Sequence, residues 1–172
     1  KTVYNGVLRD SGNQFYDSKF DIAKLSNIKN DAIKSILSAK LLEAQNKGIS
    51  ISVEIEEPVS NFRIELLDFI TILSVLCDNA IEATIEAISP RMTVAFMNND
   101  DSLILIVENS IKSEKVDVNH IFDRGYSSKG EERGLGLHNV NSILEKYPKS
   151  TITTRSANHL FSQTIRFCKV SL

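Results

Sequence analysis

A glycine-rich stretch in the last third of the chain has the composition of a phosphate-binding turn. Gly134, Leu135 and Gly136 lead directly into a run whose apolar residues recur at helical spacing. The free N–H groups of such a turn, together with the positive end of the helix dipole, suit a phosphate. Lys129 and Arg133 add positive charge beside the turn. We therefore expect the chain to hold a phosphorylated ligand here.

A group of polar residues interrupts the longest apolar helical pattern of the chain. Asp78, Asn79 and Glu82 lie within it, and their spacing places Asn79 and Glu82 on one helix face. Polar groups beside a buried stripe need partners from protein, water or ligand. One interpretation is a helix edge satisfied by water. The other is a set of oxygen ligands for Mg²⁺, which takes few ligands from protein and the rest from phosphate and water.

Two common phosphate-binding motifs are excluded. The chain contains no G-x-x-x-x-G-K-[ST] sequence. The glycine turn at 134–136 does not directly follow a strand, and it lacks the third glycine of a dinucleotide-binding fingerprint. Alone, this turn could be a simple junction between a loop and a helix. The phosphate prediction therefore depends on its combination with the Asn-bearing helix and the long polar segment before it.

Hydrophobic periodicity predicts the elements that position these residues. Helices are predicted at 22–47, 64–88 and 135–146, and strands at 49–55, 92–98, 103–107, 151–156 and 161–170. The buried stripe predicted for the second helix consists of Leu66, Phe69, Ile70, Leu73, Leu76, Cys77, Ala80 and Thr84. Residues 110–133 are polar and poorly periodic, which is typical of a functional lid. Residues 99–101 and 157–159 read as hairpin turns, so those strands are antiparallel. The predicted fold class is an α/β two-layer sandwich, with about three helices on one face of a mixed, mostly antiparallel sheet of about five strands.

Composition and charge indicate one soluble globular domain. A hydrophobic share of 42% allows a sizeable core, and a net charge of −2 gives no general attraction to nucleic acid or membrane. No apolar run is long enough to span a bilayer, and no signal peptide is visible. Because the chain begins at Lys1, we expect a longer protein with a membrane segment upstream, a lead-in over 1–21 and the domain over 22–172. Cys77 and Cys168 are predicted to be buried free thiols.

The order and spacing of three stretches resemble the GHKL ATPases, which share the Bergerat fold of histidine kinases, gyrase and Hsp90. Residues 76–83 resemble the N box, residues 121–130 the F box and lid, and residues 133–137 the second glycine box. Gyrase-type ATPases place a water-activating Glu four residues before the N-box Asn, where this chain has Val75. The pattern is therefore similar to sensor kinases, and most of all to the catalytic domains of peptide-pheromone receptor kinases of Gram-positive bacteria.

The resemblance implies roles for individual residues but no certain catalytic residue. It implies that Asn79 coordinates Mg²⁺, that Lys129, Arg133 and the turn at 134–136 hold the ATP phosphates, and that Asn109 meets adenine. Further candidates for the ATP site are Asp78, Glu82, Glu108, Phe122, Ser128, Leu137 and His138. The family's first glycine box, D-x-G-x-G, is absent at 107–111, where Asn109 takes the position of the Asp. A neutral acceptor contributes less than a charged one, so weaker adenine binding is expected.

The histidines of the chain do not provide a phosphoacceptor. His120 lies in the predicted lid, His138 in the glycine-box helix and His159 at a hairpin turn. The resemblance therefore implies a protein-histidine kinase domain that transfers the ATP γ-phosphate to a histidine on upstream dimerisation helices in quorum sensing. Implied partners are those helices, a second copy and a cytoplasmic response regulator, with membrane attachment only through the upstream part of the protein. The alternative is a nucleotide-binding-deficient GHKL module that acts in dimerisation or partner docking.

Overall fold

The computed structural model of the protein describes residues 23–122 and 135–168. Within these ranges, three α-helices and five β-strands follow a short 3-10 turn at Lys24–Asn27. The helices are α1 (Asp31–Asn46), α2 (Leu66–Thr84) and α3 (Leu135–Leu144). The strands are β1 (Ser50–Ile55), β2 (Arg91–Asn98), β3 (Ser102–Ser110), β4 (Thr151–Ala157) and β5 (Leu160–Cys168).

The five strands form one mixed sheet in the order β1-β2-β3-β5-β4. Strand β1 pairs parallel to β2, because α2 provides the crossover between them, and the other three pairings are antiparallel. All three helices share one core with alternate residues of the sheet, among them Val53, Val94, Leu105 and Ile165. The predicted sandwich of three helices on a mixed, mostly antiparallel sheet is confirmed.

The first predicted helix was wrong at its start. The chain makes the 3-10 turn, passes through Ile28 in extended conformation and begins α1 only after Asn30. The Asn30 side-chain oxygen accepts a hydrogen bond from the Ile33 N–H at 3.1 Å, which is the expected behaviour of an N-cap residue. At the other end, Gly48 has a φ of 77° and stops the helix in the left-handed region, as predicted.

The buried surface of helix α2 extends further around the helix than the predicted stripe. Ile72 and Ile81 are buried although the stripe omitted them, whereas Leu66 is 39% exposed and Ile70 is only partly buried. The reason is that α2 lies on the sheet between α1 and α3, so that three neighbours cover it. The helix also ends at Thr84, short of the prediction, and Ile88 beyond it is 96% exposed.

Both predicted hairpin turns are confirmed. Asn158 and His159 have φ values of 53° and 60°, the left-handed pair required by a two-residue type I′ turn between β4 and β5. Between β2 and β3, the Asn99 side-chain oxygen accepts from the Ser102 N–H at 2.7 Å. Strand β3 is longer than predicted and continues through Ser110, so that Glu108 and Asn109 belong to the sheet.

The chain after β3 contains no helix or strand up to residue 122, and residues 123–134 of the predicted lid lie outside the described ranges. Its first part is held to the β4–β5 hairpin. The Ile111 N–H donates to the His159 carbonyl at 2.9 Å, and the Val116 N–H donates to the Ser156 hydroxyl at 2.8 Å. The division of the chain at 21 and the lid boundaries stay predictions.

Two further sequence expectations concern the core and the membrane. Cys77 is buried, and burial raises the pKa of its thiol to about 12, as expected for an inert thiol. Cys168 is only partly buried, which corrects the prediction of two buried thiols. In residues 23–122 and 135–168, no helix combines the length and apolar character needed to cross a membrane.

Candidate functional site

The N-box helix and the glycine turn meet where α3 begins. A Cβ atom added to Gly136 would lie 3.1 Å from Val75 Cγ1 and 4.0 Å from Asn79 Oδ1. The first turn of α3 therefore packs against the face of α2 that carries Asn79. Glycine at 136 permits this close approach, because any side chain would have to displace Val75. The structure thus brings together two residues that the sequence singled out separately.

Asn109 occupies the end of β3 close to the end of α2. It is 2% exposed and faces the helices, since it continues the alternating row of Leu105 and Val107. Its side-chain N–H donates to the Ser110 carbonyl at 2.9 Å. The Thr84 hydroxyl donates to the same carbonyl at 3.2 Å, and this bond fixes the end of α2 to the end of β3. Sequence reasoning missed Thr84 in this role, because a Thr within an apolar stripe carries no specific signal.

Asp78 lies on a different side of α2 from Asn79. Its carboxylate pairs with Lys40 Nζ of α1 at 2.5 Å. Burial lowers the pKa of Lys40, but the hydrogen bond and the charge of Asp78 outweigh that effect and raise the pKa overall. Asp78 therefore joins α1 to α2 and does not face α3. Its role at the ATP site stays a prediction, and the structure shows its carboxylate in an ion pair with Lys40.

Glu108 lies on the opposite face of the sheet from the helices. Successive strand residues point to alternate faces, so Glu108 points away from the side that holds Val107 and Asn109. Burial raises the pKa of its carboxyl group, and the charge of Arg91 lowers it in part. Its assignment to the ATP site stays a prediction, and this orientation places its carboxylate on the other face of the sheet from Asn109. The alternation of the strand would have shown this, had β3 been extended past 107.

The remaining candidates lie on α2, on α3, in the segment after β3 or outside the described residues. Leu137 and His138 are partly buried in the first turns of α3, and Phe122 is partly buried at the end of the described lid segment. Glu82 is exposed one turn beyond Asn79 on the same face of α2. Ser128, Lys129, Arg133 and Gly134 fall outside the described ranges, and nothing is described of the Leu135 side chain.

The arrangement places a candidate metal and anion site at Asn79 and the start of α3. A candidate amide acceptor, Asn109, lies on the sheet. A carboxamide oxygen at 79 is a hard ligand suited to Mg²⁺. The start of α3 provides a helix N-terminus beside it. Asn109 adds an amide at the far end of β3 on the same side of the sheet. Among residues 23–122 and 135–168, no cluster of three His, Cys, Asp or Glu residues could hold a metal by itself.

Comparisons with known sequences identify a family. Residues 64–168 match the family described as "GHKL domain". Sensor protein CitS of Bacillus subtilis (strain 168) is 30% identical over 125 residues, which cover 70% of this chain and 23% of CitS. Sensor histidine kinase DcuS of Escherichia coli (strain K12) is 31% identical over 144 residues, which cover 81% of this chain and 26% of DcuS. The chain thus spans about a quarter of the length of these relatives.

Comparisons with solved structures support the same fold. The nucleotide-free catalytic domain of histidine kinase ThkA matches with a TM-score of 0.69 and 18% identity, covering 83% of this chain and 95% of that domain. Full-length ShkA in complex with AMPPNP matches with a TM-score of 0.65 and 16% identity, covering 81% of this chain and 30% of ShkA. The chain therefore belongs to the GHKL domain family and has the fold seen in histidine kinase catalytic domains.

Proposed function

We propose that this chain is the ATP-binding catalytic domain of a two-component sensor histidine kinase. The observation that carries the proposal is the contact between the Asn79 face of α2 and Gly136 at the start of α3. That contact joins the N box and the glycine box at one place, in a chain of the GHKL family. Two relatives over most of this chain are named as sensors, and one of them is named as a histidine kinase.

The residues present fit Mg-ATP. Asn79 supplies the amide oxygen that would hold Mg²⁺, and bound Mg²⁺ would neutralise charge on the phosphates. The turn at 134–136, with Lys129 and Arg133, would bind the phosphates. Asn109 would accept a hydrogen bond from the adenine amino group. The protein's contribution is then mostly positioning and charge neutralisation, as in other phosphoryl transfers.

Transfer is favoured over hydrolysis by the residue that packs against the glycine turn. Val75 contacts the position of Gly136, where a hydrolase of this superfamily would need a carboxylate to activate water. An aliphatic side chain cannot take a proton from water. Steady ATP turnover by the 172-residue chain alone would contradict this assignment.

The phosphoacceptor is proposed to be a histidine on upstream dimerisation helices. His159 forms part of the β4–β5 turn, with its Nδ1 3.1 Å from the Lys112 carbonyl oxygen, so its ring is engaged in the hairpin. His138 lies on α3 and His120 in the segment after β3. None is set on a helix with the polar sequence that an acceptor needs. The proposed partners are a second copy of the protein and a response regulator.

The finer proposal is a peptide-pheromone kinase of a Gram-positive bacterium, the cytoplasmic part of a membrane protein. It is supported by the resemblance to pheromone-receptor kinases, which share the loss of the first glycine box: at 107–111 Asn109 replaces the Asp and no glycine follows. This segment stays in β3 through Ser110.

Replacement of Asn79 by Ala in the full-length protein tests the proposal. Loss of a direct metal ligand should lower autophosphorylation from labelled ATP by at least about 100-fold, since even outer-shell substitutions at metal sites cost 10–100-fold. Asn46→Ala is the matched control, because Asn46 is an exposed amide at the end of α1. Unchanged autophosphorylation by Asn79→Ala would refute the metal role.

A second candidate function is a GHKL module that no longer binds nucleotide and acts by dimerising or docking a partner. One observation favours it: the position of the family's charged Asp holds the neutral Asn109, and the glycines of the first glycine box are absent. Calorimetric titration with Mg-ATP separates the two candidates. Absence of both heat and thermal shift at millimolar nucleotide would support the second.

A further inference from the structure

Strand β5 carries a buried side-chain amide whose nitrogen has no hydrogen-bond partner among the described residues. Gln163 is 2% exposed, and its Nε2 atom has no hydrogen-bond partner in the described part of the chain. Thr154 is its partner across the β4–β5 ladder, and the buried Thr154 hydroxyl is unpaired as well. Buried polar atoms without partners are uncommon in folded proteins and reduce stability. Two such atoms, on residues that pair across β4 and β5, indicate a position where another polar group binds.

The sheet register places this amide next to Asn109. Val107 pairs with Gln163, and Asn109 pairs with Phe161, so Gln163 is the diagonal neighbour of Asn109. Val107 belongs to the core under the helices, and paired residues share a face of the sheet. Gln163 and Asn109 therefore point to the same side, and diagonal neighbours of this kind lie about 7–8 Å apart in ordinary sheet geometry.

The helices above the sheet place Asn79 at the same level. Helix α2 runs along β3, with Phe69 against Phe167 near its start and Thr84 bonded to the Ser110 carbonyl at its end. Asn79 is then roughly 7.5 Å back from Thr84 along the helix axis. Gln163 is roughly 10 Å back from the Ser110 row along the sheet. Asn79 on the helix and Gln163 on the sheet therefore lie at similar distances from the Ser110 end of β3.

Helix α3 begins beside the Asn79 face of α2. It starts at Leu135, and a Cβ atom on Gly136 would lie 4.0 Å from Asn79 Oδ1. Gln163 lies on the sheet face that the helices cover, one diagonal step from Asn109. The orphaned donor is therefore a neighbour of the residue proposed to meet adenine.

We propose that Gln163 is a positioning residue for the purine base, and this inference rests on the proposed function. Its amide N–H donates to a ring nitrogen of adenine, while the Asn109 carbonyl accepts from the exocyclic amine. An adenine edge presents this combination of acceptor and donor, which is why Asn and Gln side chains pair with it. The unpaired donor fits a neutral ring nitrogen, and the phosphates have their own cations at 129 and 133. Gln163 thus partly replaces the charged Asp that the chain lacks.

Adenine analogues test this without any substitution. Affinities of the 172-residue chain are measured by calorimetry for Mg-ATP, 1-deaza-ATP and 7-deaza-ATP, in which one ring nitrogen is replaced by carbon. We expect one analogue to bind about 3–10-fold more weakly than ATP, the loss typical of one hydrogen bond. Equal affinities for ATP and both analogues would overturn the proposal.

The variant Gln163→Met then assigns the effect to this residue. Methionine is similar in shape but cannot donate, so ATP should bind about 3–10-fold more weakly and the difference between ATP and the sensitive analogue should disappear. Thermal stability without nucleotide should not fall through loss of the donor, because Nε2 has no hydrogen-bond partner among the described residues. An analogue difference that persists in the variant would overturn the role of Gln163.

Asn98→Leu is the matched control. Its side-chain oxygen is also buried without a partner, but Asn98 pairs with Leu103 at the other end of β3. This variant should keep the wild-type affinities for all three nucleotides. The outcomes also separate this inference from the proposed function. If the wild-type chain binds no ATP, both fail; if it binds ATP without distinguishing the analogues, only the role of Gln163 fails.

Discussion

The two ends of the α2–α3 helix pair are held together by different contacts. At the tyrosine end, where α2 begins, the Tyr147 hydroxyl donates to Asp68 at 2.7 Å and accepts from the Glu65 N–H at 3.2 Å. At the glycine end, where α3 begins, Gly136 lets the backbone of α3 approach Val75 and Asn79 closely. Hydrogen bonds thus hold the tyrosine end, whereas the proposed nucleotide site lies at the glycine end.

The tyrosine end is also tied to the sheet. The Arg63 side chain donates to the carbonyl groups of Asn99 and Asp100 in the β2–β3 turn, at 3.1 and 3.3 Å. Arg63 itself has a φ of 68°, a conformation that costs a non-glycine residue free energy and is held here by those contacts. A cleft of about 540 Å³ opens at this end, but the Tyr147 hydroxyl and the Glu65 N–H that line it bond to each other. The cleft is therefore a poor candidate for chemistry.

Gly136→Val should have the largest effect, on both stability and nucleotide binding. The added side chain must displace Val75, so we expect a loss of about 1–3 kcal/mol in the free energy of unfolding, as for other overpacked sites. It should also abolish nucleotide binding, because α3 would move away from Asn79. Urea unfolding and calorimetric titration with Mg-ATP measure the two effects.

Two controls make the Gly136 result specific. Adding Val75→Ala should recover part of the lost stability, because it removes the atom that the new side chain meets. Gly48→Ala places a side chain in open space but at a φ of 77°, so it should lower stability while leaving nucleotide affinity unchanged. Wild-type affinity in Gly136→Val would show that the contact between α2 and α3 does not shape the site.

Tyr147→Phe should weaken the opposite end alone. It removes the hydrogen bonds to Asp68 and to the Glu65 N–H, and we expect a loss of about 1 kcal/mol in the free energy of unfolding. The hydrogen bond from Tyr147 is also the main reason that the pKa of Asp68 is lowered, so the loss should shrink as acid protonates Asp68. Urea unfolding at several pH values measures this.

The nucleotide affinity of Tyr147→Phe should equal that of the wild type, because the residue lies at the far end of both helices. Lys146→Met should have a milder effect, because the Lys146 side chain is 59% exposed and ion pairs of exposed lysines contribute little. A clear fall in ATP affinity with either variant would show that the two ends are coupled.

The sequence predicted the parts of the site that depend on local pattern. Asn79 and Gly136 each interrupt a helical pattern with a residue type that has a specific use, and both lie at the meeting of α2 and α3. The sheet and its turns followed from alternation and from turn residues. The start of α1 could also have been predicted, because Asn30 before Asp31 is an N-cap signal. The helical periodicity before Asn30 is weak by comparison.

The features that the sequence did not predict depend on packing between distant elements. Nothing near Asp78 in sequence indicates that Lys40 of α1 is its partner. Gln163 reads as one polar residue in an alternating strand, and only the register with β3 places it beside Asn109. Glu108 is different, because strand alternation alone separates it from Asn109. A predicted strand that extended to Ser110 would have placed Glu108 and Asn109 on opposite faces of the sheet.

Glu108→Gln should have the smallest effect. It tests whether the sheet face that carries Glu108 is separate from the nucleotide site. Because burial raises the pKa of Glu108 above its ordinary 4.5, the folded state holds this proton more tightly than the unfolded state. The carboxyl therefore lowers stability as pH rises from about 4.5 to its folded pKa, and the penalty is complete above it. Gln carries no charge to bury, so the variant should equal the wild type near pH 4 and melt at a higher temperature at pH 7.

Asp68 provides the opposite sign within the same chain. Its lowered pKa gives stability that is present at neutral pH and lost as pH falls through the folded value, so Asp68→Asn should melt below the wild type at pH 7. Nucleotide affinity should stay unchanged in Glu108→Gln, since this carboxylate lies across the sheet from Asn109. Parallel pH profiles for wild type and Glu108→Gln would mean that the charged carboxylate is not penalised. A change in ATP affinity would instead return Glu108 to the nucleotide site, and the separation of the two sheet faces would then be wrong.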